Sequence, residues 1–225
     1  MTDANKGKGA EGADPVKTLK AALTERLHID HATNPITCAV EDGAMVIEGL
    51  VDDIAQKKRA LLIAMGLEGI SGVVDRLKVR PAREMTDEEI HQHVTDAISW
   101  ENTLAATGIS VEVNDGVVDL EGTVGSLTHK RLAGVFAWWV PGVMDVINSL
   151  EVAPPEEDSD DEVTDAVRTI LEKDRIVDAG NISVSTRDWV VTLSGAAGSE
   201  EARGAAGADA WYVWGVNEVV NDIIV

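Results

Sequence analysis

Apolar residues along the chain follow a pattern that predicts short helices and strands in a fixed order. In the middle of the chain, Ile90, Val94 and Ile98 recur at the spacing of a helix with one buried face. The residues Thr86 and Glu89 just before this stripe are typical of a capping box, which starts a helix. The pattern therefore predicts an amphipathic helix that begins near Thr86.

Two alternating segments follow this helix and indicate a β-hairpin. Val111 and Val113 alternate with polar residues and lead into the turn sequence Asn114-Asp115-Gly116, after which the alternation resumes. Corresponding turns are predicted elsewhere in the chain at Asp42-Gly43 and Arg187-Asp188.

A second helix and a last strand complete the pattern. The second helix is predicted to begin at a good N-cap residue in three places, Asp53, Ser126 and Ser199. A last segment of Val, Ile and Leu follows each helix. The predicted fold class is α+β, with three tandem αββαβ units, each a three-stranded mixed sheet with two helices on one face.

Glycine and asparagine landmarks show that the three units are repeats of one sequence. Gly49, Gly122 and Gly195 are separated by 73 residues each, since 122 − 49 and 195 − 122 are both 73. We interpret these three glycines as strand ends in the left-handed αL conformation. Each repeat has a second glycine, which we interpret as a helix end in the same conformation. The remaining landmarks are Gly69, Gly142 and Gly215 at the helix ends and Asn148 and Asn221 in the last strands.

The landmarks divide the chain into three repeats. The first repeat is predicted at 14–80, the second at 86–152 and the third at 161–225, with Asp161 as a candidate helix cap. Residues 1–13 are predicted to be a disordered tail. The segment 153–160 is predicted to be an acidic, proline-rich linker that charge repulsion keeps solvated and extended.

Composition narrows the function classes. The 225 residues include 40 acidic residues against 19 Lys and Arg, a formal net charge of −21. This balance argues against a general nucleic-acid binder and against electrostatic adhesion to anionic lipid. No apolar stretch is long enough to span a membrane, and the first residues do not resemble a signal peptide. We therefore expect a cytoplasmic protein without a transmembrane segment.

Residue patterns of known catalytic sites are missing from the sequence. His91 and His93 are two positions apart on a helix, so they point to different faces and cannot chelate one metal ion. Cys38 has no neighbouring base, and no nucleophile motif is present. We expect no enzyme activity, no catalytic residues, no metal site and no cofactor.

The repeats resemble the BON domain family. The resemblance is clearest in the second repeat, in the segments 118–124 (VDLEGTV) and 142–152 (GVMDVINSLEV), and it extends over about Asp14 to Val225. It implies a non-enzymatic bacterial binding module without shared catalytic residues. It also implies an association with osmotic stress, the cell envelope and phospholipid surfaces.

Tryptophan is the aromatic residue that stands out. Six of the eight aromatic residues are Trp, and none of the six precedes Trp100. On the second helix, the aromatics of the second and third repeats are predicted to lie on flanks that the sheet does not cover. These flanks either pack against the first helix or a neighbouring repeat, or form a contact surface for another subunit, a partner protein or a lipid interface. The candidate contact residues are Trp100, Trp138, Trp139, Trp211, Tyr212 and Trp214.

Three functional hypotheses remain open at this point. The first is a scaffold that contacts a protein partner or itself, as a homo-oligomer, through these aromatics; the few basic residues nearby favour protein over lipid. The second, implied by the resemblance, is an osmotic-stress protein that binds phospholipid surfaces. The third is a sensor that binds a small cation, K⁺ or Ca²⁺, through backbone carbonyls near turns.

Overall fold

The structure, a computed structural model, describes residues 14–105 and 107–225, so the predicted tail 1–13 lies outside the described residues. By its internal contacts the chain forms two compact units. One unit comprises residues up to Gly49 together with Ala60–Leu77, and the other comprises Leu50–Arg59 together with Lys78–Val225.

Each repeat folds in the predicted order, and the prediction of an α+β fold is confirmed. The first repeat contains α1 (Pro15–Leu27), β1 (Ile36–Glu41), β2 (Ala44–Val51), α2 (Ile54–Met65) and β3 (Gly72–Val79). The second contains α3 (Asp87–Trp100), β4 (Ser110–Asn114), β5 (Val117–Glu121), β6 (Thr123–Val124), α4 (Leu127–Trp138), β7 (Asp145–Asn148) and β8 (Glu151–Val152). The third contains α5 (Asp160–Lys173), β9 (Ile182–Arg187), β10 (Val190–Ala196), α6 (Glu200–Tyr212) and β11 (Glu218–Ile224), with a short 3₁₀ helix at Ala179–Asn181.

In each of the three three-stranded sheets, the middle strand is the second strand of the hairpin. In the third repeat β10 pairs antiparallel with β9 and parallel with β11, which makes the sheet mixed. The second repeat departs from the predicted single sheet, because its strands form one sheet of β4, β5 and β7 and a separate pair of β6 and β8. The interruption falls at Gly122, between the end of β5 and the start of β6.

Side-chain caps explain where the helices begin. Asp14 accepts a hydrogen bond from the Val16 N–H at 3.0 Å, and the predicted capping box of Thr86 and Glu89 is present. The suggestion that Asp161 caps the third repeat's first helix is wrong. Ser159 is the N-cap and accepts from the Glu162 N–H at 3.3 Å, because it lies one turn ahead of the first buried residues of α5.

Carboxylates of the first helices hold the hairpin turns. Asp87 accepts the N–H groups of Asp115 and Gly116 at 2.9 Å each. Asp160 does the same in the third repeat, where the turn residues are Asp188 and Trp189. The prediction of Arg187-Asp188 is therefore one residue early, since Arg187 already pairs with Val190 across the hairpin.

The first glycine landmark is fixed by the close approach of two backbones. At Gly195 φ is 122°, and a Cβ built there would lie 2.1 Å from the Asn181 carbonyl oxygen. Gly49 and Gly122 have similar positive φ values of 147° and 130°, so the three lie beyond the αL region that the sequence analysis assigned to them. Gly142, predicted to be an αL helix end, does not have a positive φ. Its lack of a side chain leaves room for Met85.

The asparagine landmark pairs with a glycine on the second helix. Asn221 donates from Nδ2 to the Arg203 carbonyl of α6 at 2.9 Å, and Asn148 donates to the Lys130 carbonyl of α4 at 2.7 Å. A Cβ at Gly207 would lie 2.8 Å from the Nδ2 of Asn221, so glycine is needed for the strand to reach the helix. This contact ties the last strand to the helix above it.

We expect Gly207→Ala and Gly204→Ala to change stability in opposite directions, although both lie on α6. Gly207→Ala should lower the free energy of unfolding by about 1–2 kcal/mol, because its methyl group displaces the Asn221 amide. Gly204→Ala should raise it by about 0.5–1 kcal/mol, because a Cβ there meets no atom within 4 Å and alanine favours the helix. Urea unfolding of both variants tests this, and stabilisation by Gly207→Ala would contradict it.

Candidate functional site

Four of the predicted aromatic contact residues lie on α4 and at the end of α6, within the second compact unit. The rings of Trp138 and Tyr212 are stacked, with centroids 5.6 Å apart and planes 9° from parallel. The indole N–H of Trp139 donates to the Asp209 carboxylate at 2.7 Å. These aromatics thus pack between the second and third repeats, and a partner contact through them stays a prediction.

The other predicted contact residues differ in exposure. Trp211 is only 8% exposed and lies under the Arg59 guanidinium, which is 5.0 Å from its ring centroid. Trp214 is 50% exposed, with the Lys130 ammonium 5.2 Å from its centroid. Trp100, at the end of α3, is 83% exposed. Trp100 and Trp214 are therefore the two indoles that present substantial area to solvent.

A fully buried arginine connects the linker with both repeats. Arg131 of α4 is 0% exposed, donates to Asp158 at 2.5 Å and donates to the Trp214 carbonyl at 3.1 Å. Glu156 accepts the Leu127 N–H at 2.7 Å, at the start of α4. The interpretation of 153–160 as a solvated linker is thus incomplete, because two of its carboxylates are bound to α4 by hydrogen bonds that offset repulsion within the segment.

A half-buried lysine fills the carbonyl-lined turn after α6. The Lys58 ammonium donates to the carbonyl oxygens of Trp211, Val213 and Val216 at 2.7, 2.9 and 3.2 Å. Burial lowers the pKa of Lys58 to about 7, while the three carbonyl acceptors favour the charged form. This group of carbonyls therefore already holds a cationic side chain, which leaves less room for a bound K⁺ or Ca²⁺.

Asp209 is a carboxylate inside the aromatic packing between the repeats. The residue is 2% exposed, and its Oδ2 has no hydrogen-bond partner among the described residues. Desolvation raises the pKa of Asp209 to about 8, although the hydrogen bond from Trp139 acts in the opposite direction. The nearby Asp174 carboxylate also raises this pKa. Asp209 is thus largely protonated in the folded protein at neutral pH.

A cavity of about 290 Å³ opens beside Trp100. The residues that line it include an ion pair, in which the Lys173 ammonium lies 2.6 Å from the Glu101 carboxylate. Glu101 also accepts from the Thr103 N–H and hydroxyl, and the hydrogen bond from Lys173 is the largest cause of its lowered pKa. The lining residues are Ala97, Trp100, Glu101, Phe136, Trp139, Lys173 and Arg175.

Sequence reasoning missed Lys58, Arg131 and Asp209, the charged residues that organise this site. Each lies on a helix, where a charge normally indicates a solvated face. The one available signal was position, since Lys58 and Arg131 are 73 residues apart and so occupy equivalent places in two repeats.

Neither a metal-binding cluster nor a membrane-spanning helix occurs in the part of the chain that the structure describes. Between residues 14 and 225, with residue 106 set aside, no three His, Cys, Asp or Glu side chains cluster so as to hold a metal ion. Across the same part of the chain, no helix combines the length and apolar character needed to cross a membrane.

Two solved structures align with most of this chain at low structural similarity. Two structures of CdsD, described as a structural protein of the type III secretion system of Chlamydia trachomatis, align with 92% and 96% of this chain. The alignments cover 91% and 98% of the two CdsD chains, at 16% and 15% sequence identity. Both TM-scores are 0.26, too low to support an inference about fold or function.

Sequence comparisons are more informative. The chain is 30% identical over 139 residues to osmotically-inducible protein Y of Escherichia coli (strain K12). The alignment spans 59% of this chain and 68% of that protein. A model of the BON domain matches three segments, 16–81, 86–154 and 159–225. The chain therefore belongs to the BON domain family and contains three BON domains in tandem.

Proposed function

We propose that this chain is a non-enzymatic binding protein related to osmotic stress, which acts as a scaffold through protein contact and first of all through self-association. The relation to osmotically-inducible protein Y supports the osmotic part of the proposal. The BON family assignment supports a binding module and not an enzyme.

The observation that favours protein contact is that some of the aromatic residues are packed between domains while others are exposed to solvent. Trp138, Trp139 and Tyr212 are engaged in packing between the second and third domains, which fixes the two domains in one unit. Trp100 and Trp214 remain exposed on this unit. Large, exposed indoles on a rigid support are typical of the residues that dominate protein interfaces.

We expect Trp100→Ala and Trp214→Ala each to weaken self-association by about tenfold or more, because truncating an interface tryptophan typically costs about 2 kcal/mol. Light scattering over a concentration series measures the effect against the 23.9 kDa mass of one chain. Val74→Ala, at an exposed aliphatic residue of the first domain, is the control and should leave the association unchanged. A wild-type mass of one chain at every concentration would reject self-association.

The competing proposal is phospholipid binding through the same tryptophans. Flotation with vesicles discriminates the two, because a lipid site predicts co-flotation of the wild type that both Trp→Ala variants lose. The strongly acidic composition argues against binding to anionic vesicles. A cation-sensor function has less support, since Lys58 occupies the carbonyls after α6.

A further inference from the structure

We propose that the cavity beside Trp100 binds a small zwitterion with a quaternary ammonium group, such as a betaine or a phosphocholine head group. The site is formed by the second and third domains of one chain alone, and it shares Trp100 with the proposed self-association surface. Its volume of about 290 Å³ is near the lower end of the range for small-molecule sites.

The aromatic side chains supply the first part of the argument. Trp100, Phe136 and Trp139 line the same cavity, and the rings of Phe136 and Trp139 are 5.2 Å apart and tilted by 36°. Aromatic faces attract cations through the ring quadrupole, and several rings around one cavity are the usual arrangement for quaternary ammonium ligands. The indole of Trp139 is held in place by its hydrogen bond to Asp209.

The polar groups supply the second part of the argument, because Glu101, the one carboxylate among the lining residues, is already hydrogen-bonded. Both oxygens of Glu101 already accept hydrogen bonds, one from Lys173 and the other from Thr103. A primary ammonium group would have to compete with Lys173 and Thr103 for the oxygens of Glu101. A quaternary ammonium group has no N–H to satisfy, and the negative charge of Glu101 still attracts it.

The charges on the rim explain why a zwitterion fits better than a simple cation. Lys173 is paired with Glu101, whereas Arg175, which also lines the cavity, is exposed to solvent. Its guanidinium can bind a carboxylate or phosphate with two parallel hydrogen bonds. A ligand with a methylated ammonium at the rings and an anionic group at Arg175 therefore matches both ends of the cavity.

Indole N–H resonances in ¹⁵N-correlated NMR spectra give a residue-specific test. Glycine betaine should shift the indole signals of Trp100 and Trp139 saturably, with a Kd on the order of 1 mM, and leave Trp214 unchanged. Tetramethylammonium should bind more weakly, because it lacks the anionic group. Glycine and acetate should cause no saturable shift at the same concentrations. Equal shifts with glycine and glycine betaine would overturn the proposal.

Trp214→Ala and Arg175→Gln distinguish ligand binding from self-association, because Trp100 takes part in both. Trp100→Ala should weaken glycine betaine binding about fivefold or more, and Arg175→Gln should weaken the binding of glycine betaine but not of tetramethylammonium. Trp214→Ala should leave both affinities unchanged while it weakens self-association. Unchanged glycine betaine affinity in Trp100→Ala would reject the cavity as the site, even if the chain self-associates.

Phosphocholine in solution and phosphatidylcholine vesicles distinguish the two sources of such a head group. Binding of free phosphocholine without vesicle co-sedimentation assigns the site to a soluble zwitterion. Co-sedimentation that Trp100→Ala abolishes assigns it to a lipid head group. If neither phosphocholine nor glycine betaine binds, the proposal is wrong.

Discussion

Asp209→Asn is expected to raise the free energy of unfolding at pH 7 by about 3 kcal/mol. The Asp209 side chain is buried, and desolvation raises its pKa to about 8. At pH 7 the folded protein must therefore bind a proton that the unfolded chain does not hold. Asparagine keeps the oxygen that accepts the Trp139 indole N–H, and it has no charge to neutralise.

The expected pH dependence follows from the direction of this shift. A carboxyl group whose folded pKa is raised contributes stability that is complete below its unfolded pKa of about 4 and is lost as the pH rises toward 8. The advantage of the variant should therefore grow by up to about 1.4 kcal/mol per pH unit and level off above pH 8. Lys58, with its lowered pKa, has the opposite dependence above pH 7, but it is present in both proteins and cancels.

Urea unfolding followed by tryptophan fluorescence, at about pH 5.5, 7 and 8.5, measures this difference. Asp222→Asn, at an exposed carboxylate of β11, is the matched control and should change stability by less than about 0.5 kcal/mol at each pH. If Asp209→Asn instead destabilises the protein equally at every pH, Asp209 is ionised in the folded state and our account of its environment is wrong.

Local sequence signals were sufficient for the elements of each domain. Capping residues such as Thr86 and Ser126 satisfy N–H groups within the same helix turn, so the structure that they favour depends only on neighbouring residues. The hairpin turn was misplaced by one residue because Trp189 adopts a positive φ of 63° in it, and Asp160, 29 residues away, accepts the Trp189 N–H. A large residue with positive φ is unusual, and a distant carboxylate cannot be read from local pattern.

The candidate site was predictable only in part, for the same physical reason. Helical geometry placed Trp138 and Trp139 away from the sheet, but the sequence could not decide between a partner molecule and a neighbouring domain. That choice depends on how α4 and α6 meet, which is a property of tertiary packing. The buried Arg131 and Asp209 and the half-buried Lys58 could not be found from hydrophobic patterning, because a charge away from solvent contradicts the rule on which the pattern rests.

Arg131→Met is expected to lower the free energy of unfolding by about 3 kcal/mol. The Arg131 side chain is fully buried, and its guanidinium donates to the Asp158 carboxylate and to the Trp214 carbonyl. Methionine fills a similar volume but donates no hydrogen bond, so the variant leaves both acceptors without this partner. The loss should be larger than at any exposed ion pair of the protein, where the median contribution is about 0–1 kcal/mol.

Arg203→Met is the matched control, since Arg203 lies on α6 and pairs with Glu200 on the protein surface. It should cost less than about 1 kcal/mol in the same urea titration. A double-mutant cycle of Arg131→Met and Asp158→Ala then isolates the pair, and the two losses should fall short of additivity by about 1–3 kcal/mol. Strict additivity would mean that Arg131 stabilises the protein through packing and the Trp214 carbonyl alone. In that case the acidic segment 153–160 would act as the solvated linker that its composition suggests, because its carboxylate at Asp158 would add nothing to the contact between the second and third domains.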